Sequence, residues 1–162
     1  MISSPPPPDQ ISPDPGDAPQ AWGPRVMVLV SGGRSAAILA ECAREVVARP
    51  PVIRLPSAAE FVCGVINVRG SLVPLVDLGQ LLQAGRALPN GWVVTLDLGA
   101  RRCALAVDSL PVLCAADAPP VNARDVGHAA LRQQVRVAGT CMPLLDVAAL
   151  ADDLLLHQSH AM

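Results

Sequence analysis

Residues Phe61 to Leu82, FVCGVINVRGSLVPLVDLGQLL, constrain this chain more than any other stretch. Two apolar runs flank Gly70-Ser71. A glycine between alternating runs is a hairpin signal, because the tight turns that match strand twist need positive φ. The spacing predicts a type II′ turn at Gly70-Ser71 joining strands Val65–Arg69 and Leu72–Asp77. In that register Arg69 faces Leu72, Asn67 faces Pro74 and Val65 faces Val76. Side chains alternate along a strand, so Gly64, Ile66, Val68, Val73, Leu75 and Asp77 share the more apolar face, which points to a core. Asn67 and Arg69 lie on the other face at the turn end. Pro74 has no N–H to donate. LGQLLQ, after Asp77, has the spacing of a short helix.

The chain around this hairpin is aliphatic. It has 162 residues, of which 51% are hydrophobic, yet it has one Phe, two Trp and no Tyr. The core is therefore built from Val, Leu, Ala and Ile, and stacking platforms for single-stranded nucleic acid are missing. All 12 basic residues are Arg, and they are spread along a chain of net charge −2, so no basic stripe marks nucleic acid or anionic lipid as a partner. The five cysteines, Cys42, Cys63, Cys103, Cys114 and Cys141, have no metal-ligand spacing and read as reduced, buried small hydrophobes. No secretion signal is expected at the N-terminus, and no apolar run reaches the roughly 18 residues that span a bilayer.

Residues 1–24 hold eight of the 17 prolines, three Asp and no basic residue, a composition that favours a disordered, extended tail over a packed element. Catalytic motifs are scarce. There is no G-x-S-x-G elbow, and Ser31–Arg34, SGGR, lacks the Gly-Lys-Ser/Thr of a phosphate loop. His128 has no carboxylate at a spacing that suggests a dyad. Cys63 falls on a strand and reads as core. His157 and His160 sit in a polar tail. The expectation is a non-enzymatic chain without metal or cofactor.

Phe61, Gly64, Val65, Asn67, Arg69, Gly70, Pro74, Asp77, Leu78 and Leu81-Leu82 together form an aromatic, a G-V-x-N-x-R-G run, a strand ending P-x-x-D-L and an apolar pair. In this the chain resembles the CheW family, the adaptor proteins of bacterial chemosensory arrays. The resemblance extends from Met27 to about Leu150. It implies a mainly β fold, two small five-stranded SH3-like barrels packed together with short helices. The expected organisation is a Pro-rich tail at 1–24, a CheW-like domain at 25–156 and a flexible end at 157–162.

The resemblance also decides an ambiguous segment. SAAILAECAREVVAR, from Ser35, has the composition of a helix. The family alignment instead places strands at Ala36–Ala40 and Ala43–Val47. The family's V-x-E-V/I reads Ala43-Arg44-Glu45-Val46 here, so a valine is trimmed to alanine. Strands are expected at Arg25–Val30, Val52–Leu55, Trp92–Leu98 and Arg102–Val107, with Val94, Leu96 and Leu98 on one face and Trp92 on the other. Asp97 reads as a turn residue. Leu113–Val126 reads as loop, and the family's next segment is shortened to ALRQQVRVAG, leaving one strand of the second barrel unassigned. Thr140–Leu150 carries the closing strand and the start of a last helix.

What the resemblance implies is an adaptor in the cytoplasm, recruited to receptor arrays, that bridges chemoreceptor cytoplasmic tips to the regulatory domain of a CheA-type histidine kinase. An alternative is the same module in a pilus, gliding or other non-flagellar pathway with a different partner. By resemblance, the partner-binding residues are Ala43, Glu45, Asn67, Arg69, Gly70, Leu110 and Leu113, and Glu45 pairs with Arg69.

Overall fold

The structure, a computed structural model, describes residues 23–56, 58–123 and 128–159, with side chains as far as Leu155. The expected Pro-rich tail lies outside them except for Gly23 and Pro24. Those two residues pack on the body: the Pro24 carbonyl accepts from the Ala116 N–H at 2.9 Å.

Strands β1 (Arg25–Ser31) and β2 (Arg34–Leu39) form a hairpin. A 3₁₀ turn at Ala40–Cys42 then carries the chain into a second sheet. That sheet is built without interruption from β3 (Ala43–Ala48), β4 (Val52–Ile53), β5 (Val62–Val68), β6 (Ser71–Asp77), β7 (Trp92–Leu98) and β8 (Arg101–Val107), in the order β3-β7-β8-β6-β5-β4. A short helix α1 (Leu78–Leu81) follows β6. The chain returns to the first sheet with β9 (Val112–Ala115), β10 (Val121–Asn122), β11 (Gln133–Val137) and β12 (Thr140–Leu144), giving the order β10-β11-β12-β2-β1-β9. Helix α2 (Val147–Ser159) closes the chain and runs past the expected domain end at residue 156. Each sheet holds one parallel pair, β12 with β2 and β6 with β8, among antiparallel neighbours. The mainly β, two-sheet fold is as expected. Each sheet has six strands among the described residues, because the two-residue strands β4 and β10 add to the expected five.

The helical composition of Ser35–Arg49 gives way to strands because of where β2 sits. It lies between β12 and β1, so its backbone is paired on both sides. Ala36 and Ile38 are buried in one apolar cluster and Ala37 in another. Small side chains suit a strand covered on both faces, and that packing overrides propensity.

The main hairpin forms one step away from its expected register. Val68 pairs with Ser71, Asn67 with Leu72, Ile66 with Val73 and Val65 with Pro74. The two loop residues are Arg69 and Gly70, at φ 52° and 85°. Two positive φ values make this a type I′ turn, with glycine second rather than first. The Asn67 Oδ1 accepts from the Gly70 N–H at 2.8 Å and supports that choice. The face assignment survives because each strand keeps its own alternation: Gly64, Ile66, Val73, Leu75 and Asp77 are buried. Pro74 sits one residue before the β6–β8 ladder begins at Leu75, so its missing donor is not needed.

Other expectations need correction. Strand Val52–Leu55 shrinks to β4. Trp92 packs against the same cluster as Val94, Leu96 and Leu98. Asp97 lies inside β7. Leu113–Val126 is not simply loop: β9 pairs with β1 and β10 with β11. The shortened ALRQQVRVAG supplies β11, hydrogen-bonded to β12. Of the cysteines only Cys103 is fully buried, and Cys141 is exposed.

Gly64 tests the packing of β4 on β5. Its φ is 141°, and a Cβ there would stand 2.1 Å from the Ile53 carbonyl oxygen. Gly70, at φ 85°, has nothing within 4 Å of a Cβ. Gly64→Ala should cost more than about 2 kcal/mol in urea denaturation, and Gly70→Ala about 1 kcal/mol. Equal losses would contradict the close approach at Gly64.

Candidate functional site

Glu45 and Arg69, 24 residues apart in the chain, meet. The Arg69 Nη2 donates to Glu45 Oε2 at 2.9 Å. The pair does not join neighbouring strands. In hydrogen-bond order β7 and β8 stand between β3 and β6, the near strand of the hairpin. Strands lie about 4.8 Å apart, so on a flat sheet the two backbones would be separated by roughly 14 Å or more. The two long side chains reach across the intervening strands, so the ion pair ties the hairpin tip to β3. The two side chains are unequally exposed, 83% for Arg69 and 20% for Glu45. Such a pair contributes ~0–1 kcal/mol to stability and more to geometry.

A bulge aims the residues of β3. The ladder to β7 passes from Ala43–Leu96 to Glu45–Thr95, leaving Arg44 as the extra residue. An extra residue bends the strand and breaks the strict alternation of faces. The Thr95 hydroxyl fixes the bulge by accepting from the Glu45 N–H at 3.2 Å and donating to the Glu45 carbonyl at 3.3 Å. Arg44 then turns to Asp97, Nη1 to Oδ2 at 2.6 Å, which gives Asp97 a partner rather than a turn.

These residues wall one end of a groove of about 330 Å³ at the seam of the two sheets. Arg25 and Met27 of β1 and Leu113 of β9 come from one sheet; Ala43, Glu45 and Val46 of β3 come from the other. Leu113 lies opposite Met27 in the β1–β9 ladder. The structure thus brings Ala43, Glu45 and Leu113 together, with Arg69 reached through Glu45. Asn67 and Gly70 shape the turn that projects Arg69. Leu110, 57% exposed, stands before β9 and does not line the groove. The sequence reading missed Val112, 58% exposed, whose signal was its place in the apolar run after Pro111. A larger cleft, about 600 Å³ near Arg34, Leu82 and Met142, contains none of the expected site residues.

The model of the CheW-like domain matches residues 25–155. The chain belongs to the CheW-like domain family. No curated protein sequence matches it. Among solved structures it is similar to the scaffolding protein TtCheW from Thermoanaerobacter tengcongensis, with TM-score 0.64 and 18% identity over 75% of this chain and 88% of that one. At that identity the likeness concerns the fold.

Two features of this CheW-like domain bear on chemistry. His128 does have a carboxylate partner, which its sequence spacing hid: Nε2 lies 2.8 Å from Asp153 Oδ2 on α2. Its Nδ1 accepts from the Ala130 N–H at 3.1 Å, and its ring meets the Phe61 ring edge-on at 5.0 Å. Both ring nitrogens are occupied, so the pair fastens α2 rather than presenting a base. The inner cysteines are held as thiols. Burial, then the nearby Cys42, pushes Cys103 up to about 12. Burial, then Asp77, raises Cys63 against the opposing pull of Arg49 and Arg86. A protonated thiol is a poor nucleophile and a poor metal ligand. Among the described residues no three His, Cys, Asp or Glu side chains gather as a metal site, and no helix is long and apolar enough to cross a membrane.

Arg69 holds a left-handed backbone, which costs a residue with a Cβ about 1–2 kcal/mol. Arg69→Gly should relieve that cost while deleting the guanidinium, and so unfold at higher urea than Arg69→Ala by about 1 kcal/mol. If Arg69→Ala proved the more stable, the turn would not be strained as described.

Proposed function

We propose that this CheW-like domain is a non-catalytic adaptor that couples the cytoplasmic tips of chemoreceptors to the regulatory domain of a CheA-type histidine kinase in chemosensory signalling. The observation that carries the reading is the seam groove with the Glu45–Arg69 pair at its end. An adaptor transmits by holding two partners in a fixed geometry. Small apolar patches supply affinity, and charge fixes register. Here Met27, Ala43, Val46 and Leu113 offer the patch, and Glu45, Arg69 and Arg44 the charge. The proposed partner residues are Ala43, Glu45, Asn67, Arg69, Gly70, Leu110 and Leu113. Leu110 and Val112, outside the groove, extend the apolar surface along β9. That strand is an edge of its sheet and can accept backbone hydrogen bonds from a partner.

A second reading draws on Ala43. Where the family carries valine, this chain is smaller, and a contact through the groove loses two methyl groups. That favours a module of a pilus, gliding or other non-flagellar pathway, whose partner is shaped for the wider groove.

Binding of a receptor tip fragment and a CheA-type regulatory domain, measured by calorimetry, tests both readings. Arg69→Ala and Glu45→Ala should each weaken binding of the receptor tip. The double variant should be no worse than the poorer single, because both remove the same unit. Effects that add, or single variants that bind normally, would reject the pair as a functional unit.

Ala43→Val separates the two readings. With a partner of the usual family shape it should tighten binding by about 1–1.5 kcal/mol, a five- to thirteenfold change. Weaker binding after that change would favour a partner matched to alanine.

A further inference from the structure

Three arginines converge on a cleft of about 530 Å³ in the second sheet, which shares no residue with the seam groove. Arg49 follows β3, Arg54 follows β4, and Arg86 lies in the loop after α1. Local structure brings them to one place. The β5–β6 ladder steps from Val62–Val76 to Gly64–Leu75, so Cys63 is the extra residue of a bulge, and it lines the cleft. Bulges re-aim side chains in this way. The close approach at Gly64 holds β4 on β5, and Arg54 leaves β4 beside the same wall.

One guanidinium is fixed and two are free. The Arg49 Nη1 donates to the Leu88 carbonyl at 2.9 Å, and its Nη2 lies 3.8 Å from the Cys63 Sγ. Arg86 is close enough to the same sulfur to oppose, with Arg49, the rise of its pKa. Arg54 and Arg86 are exposed and have no hydrogen-bond or ion-pair partner among the described residues. Elsewhere the fold pairs its guanidiniums, Arg44 with Asp97, Arg69 with Glu45 and Arg101 with Asp152. Two carboxylates also line the cleft. Asp77 is buried, and its charge is met by the N–H groups of Gln80 and Ala87. Glu60 is exposed and makes no ion pair among the described residues. Burial, then Asp77, keeps Cys63 a neutral thiol, so it adds no further negative charge.

Unpaired guanidiniums around a concave surface suit an oxyanion, because each planar fork donates two parallel N–H bonds to a carboxylate or phosphate. The cleft also has the volume of a small-molecule site, about 300–1,000 Å³. Two free cations beside a third that is held in place match a doubly charged group better than a single charge. We propose that this cleft binds a small dianionic ligand, a phosphate monoester or a dicarboxylate, between Arg49, Arg54 and Arg86. Val52 and Leu55 line the same cleft and offer apolar contact to the rest of the ligand. None of the residues proposed for partner binding lies in the cleft, so the inference stands apart from the adaptor reading.

Amide NMR titration of the full chain tests it, with phenyl phosphate and succinate as probes and sodium chloride at matched ionic strength as the reference. At least one probe should give saturable shifts at Ala59, Cys63 and Ala87, with a Kd on the order of 1 mM or tighter, and chloride should not. Saturation by phenyl phosphate alone assigns the cleft to phosphate monoesters, and saturation by succinate alone assigns it to dicarboxylates. Arg54→Gln and Arg86→Gln each remove an exposed charge that no described residue uses. Each should therefore leave the fold intact and weaken binding about fivefold or more. Arg101→Gln, at a paired arginine outside the cleft, should leave the affinity unchanged.

No saturation with either probe, shifts that chloride reproduces, or unchanged affinity in both cleft variants would overturn the proposal. So would shifts centred on Arg25 and Arg44, which would put the anion in the seam groove instead.

Discussion

The two sheets share one aliphatic core, and the rest of the molecule depends on it. Leu29, Ala36 and Ile38 enter it from the first sheet; Val76, Val94, Leu96, Leu105 and Val107 enter from the second; Leu150 and Leu154 cover it from α2. With so few aromatic side chains, this core is made of many small contributions rather than a few large ones. Each fully buried aliphatic side chain is worth about 1.5–3 kcal/mol. The connectivity reinforces the contact. The whole second sheet is inserted between β2 and β9, so the first sheet does not correspond to an uninterrupted stretch of chain and is completed only after the second has been made. Asp77 secures the crossing on the second-sheet side. Its buried carboxylate accepts from the Gln80 and Ala87 N–H groups at 3.3 and 3.0 Å, capping α1 and holding the loop that follows.

The sequence made some of this legible and hid the rest for identifiable reasons. The faces of the main hairpin were readable, because alternation is a property of each strand alone. Its register was not, because either loop position of a two-residue turn can hold the glycine. The decision fell to Asn67, whose side chain selects the turn by bonding the Gly70 amide. The strands in Ser35–Arg49 were invisible to propensity and came only from the family resemblance, since alanine is chosen there for size and not for backbone preference. Strand β9 was missed for a related reason: four residues following Pro111 give too little pattern, and the ladder with β1 that defines them lies more than eighty residues away. The link between His128 and Asp153 is of the same kind, formed by tertiary packing across 25 positions.

The candidate site shows how a local device becomes a long-range one. A type I′ turn places Arg69 in a left-handed backbone, and a bulge turns Glu45 toward it. Neither feature signals an ion pair by itself. They meet because two long side chains reach across a sheet whose strands twist as they pack on a shared core. The energy of the exposed pair is small, but its position is not. It ties the free edge β3 to the hairpin tip at the end of the seam groove, and so fixes the shape of one wall of that groove.

The other wall comes from β1 and β9, which belong to the first sheet. A ligand in the groove therefore touches both sheets at once and reads their relative placement. With a core shared between the sheets and a chain that passes twice between them, that placement is hard to change, because interiors packed at this density are not continuously deformable. The groove is thus better suited to rigid recognition than to transmitting motion within the domain. On the adaptor reading, control over occupancy then has to come from something that competes for the groove rather than from a change in its shape.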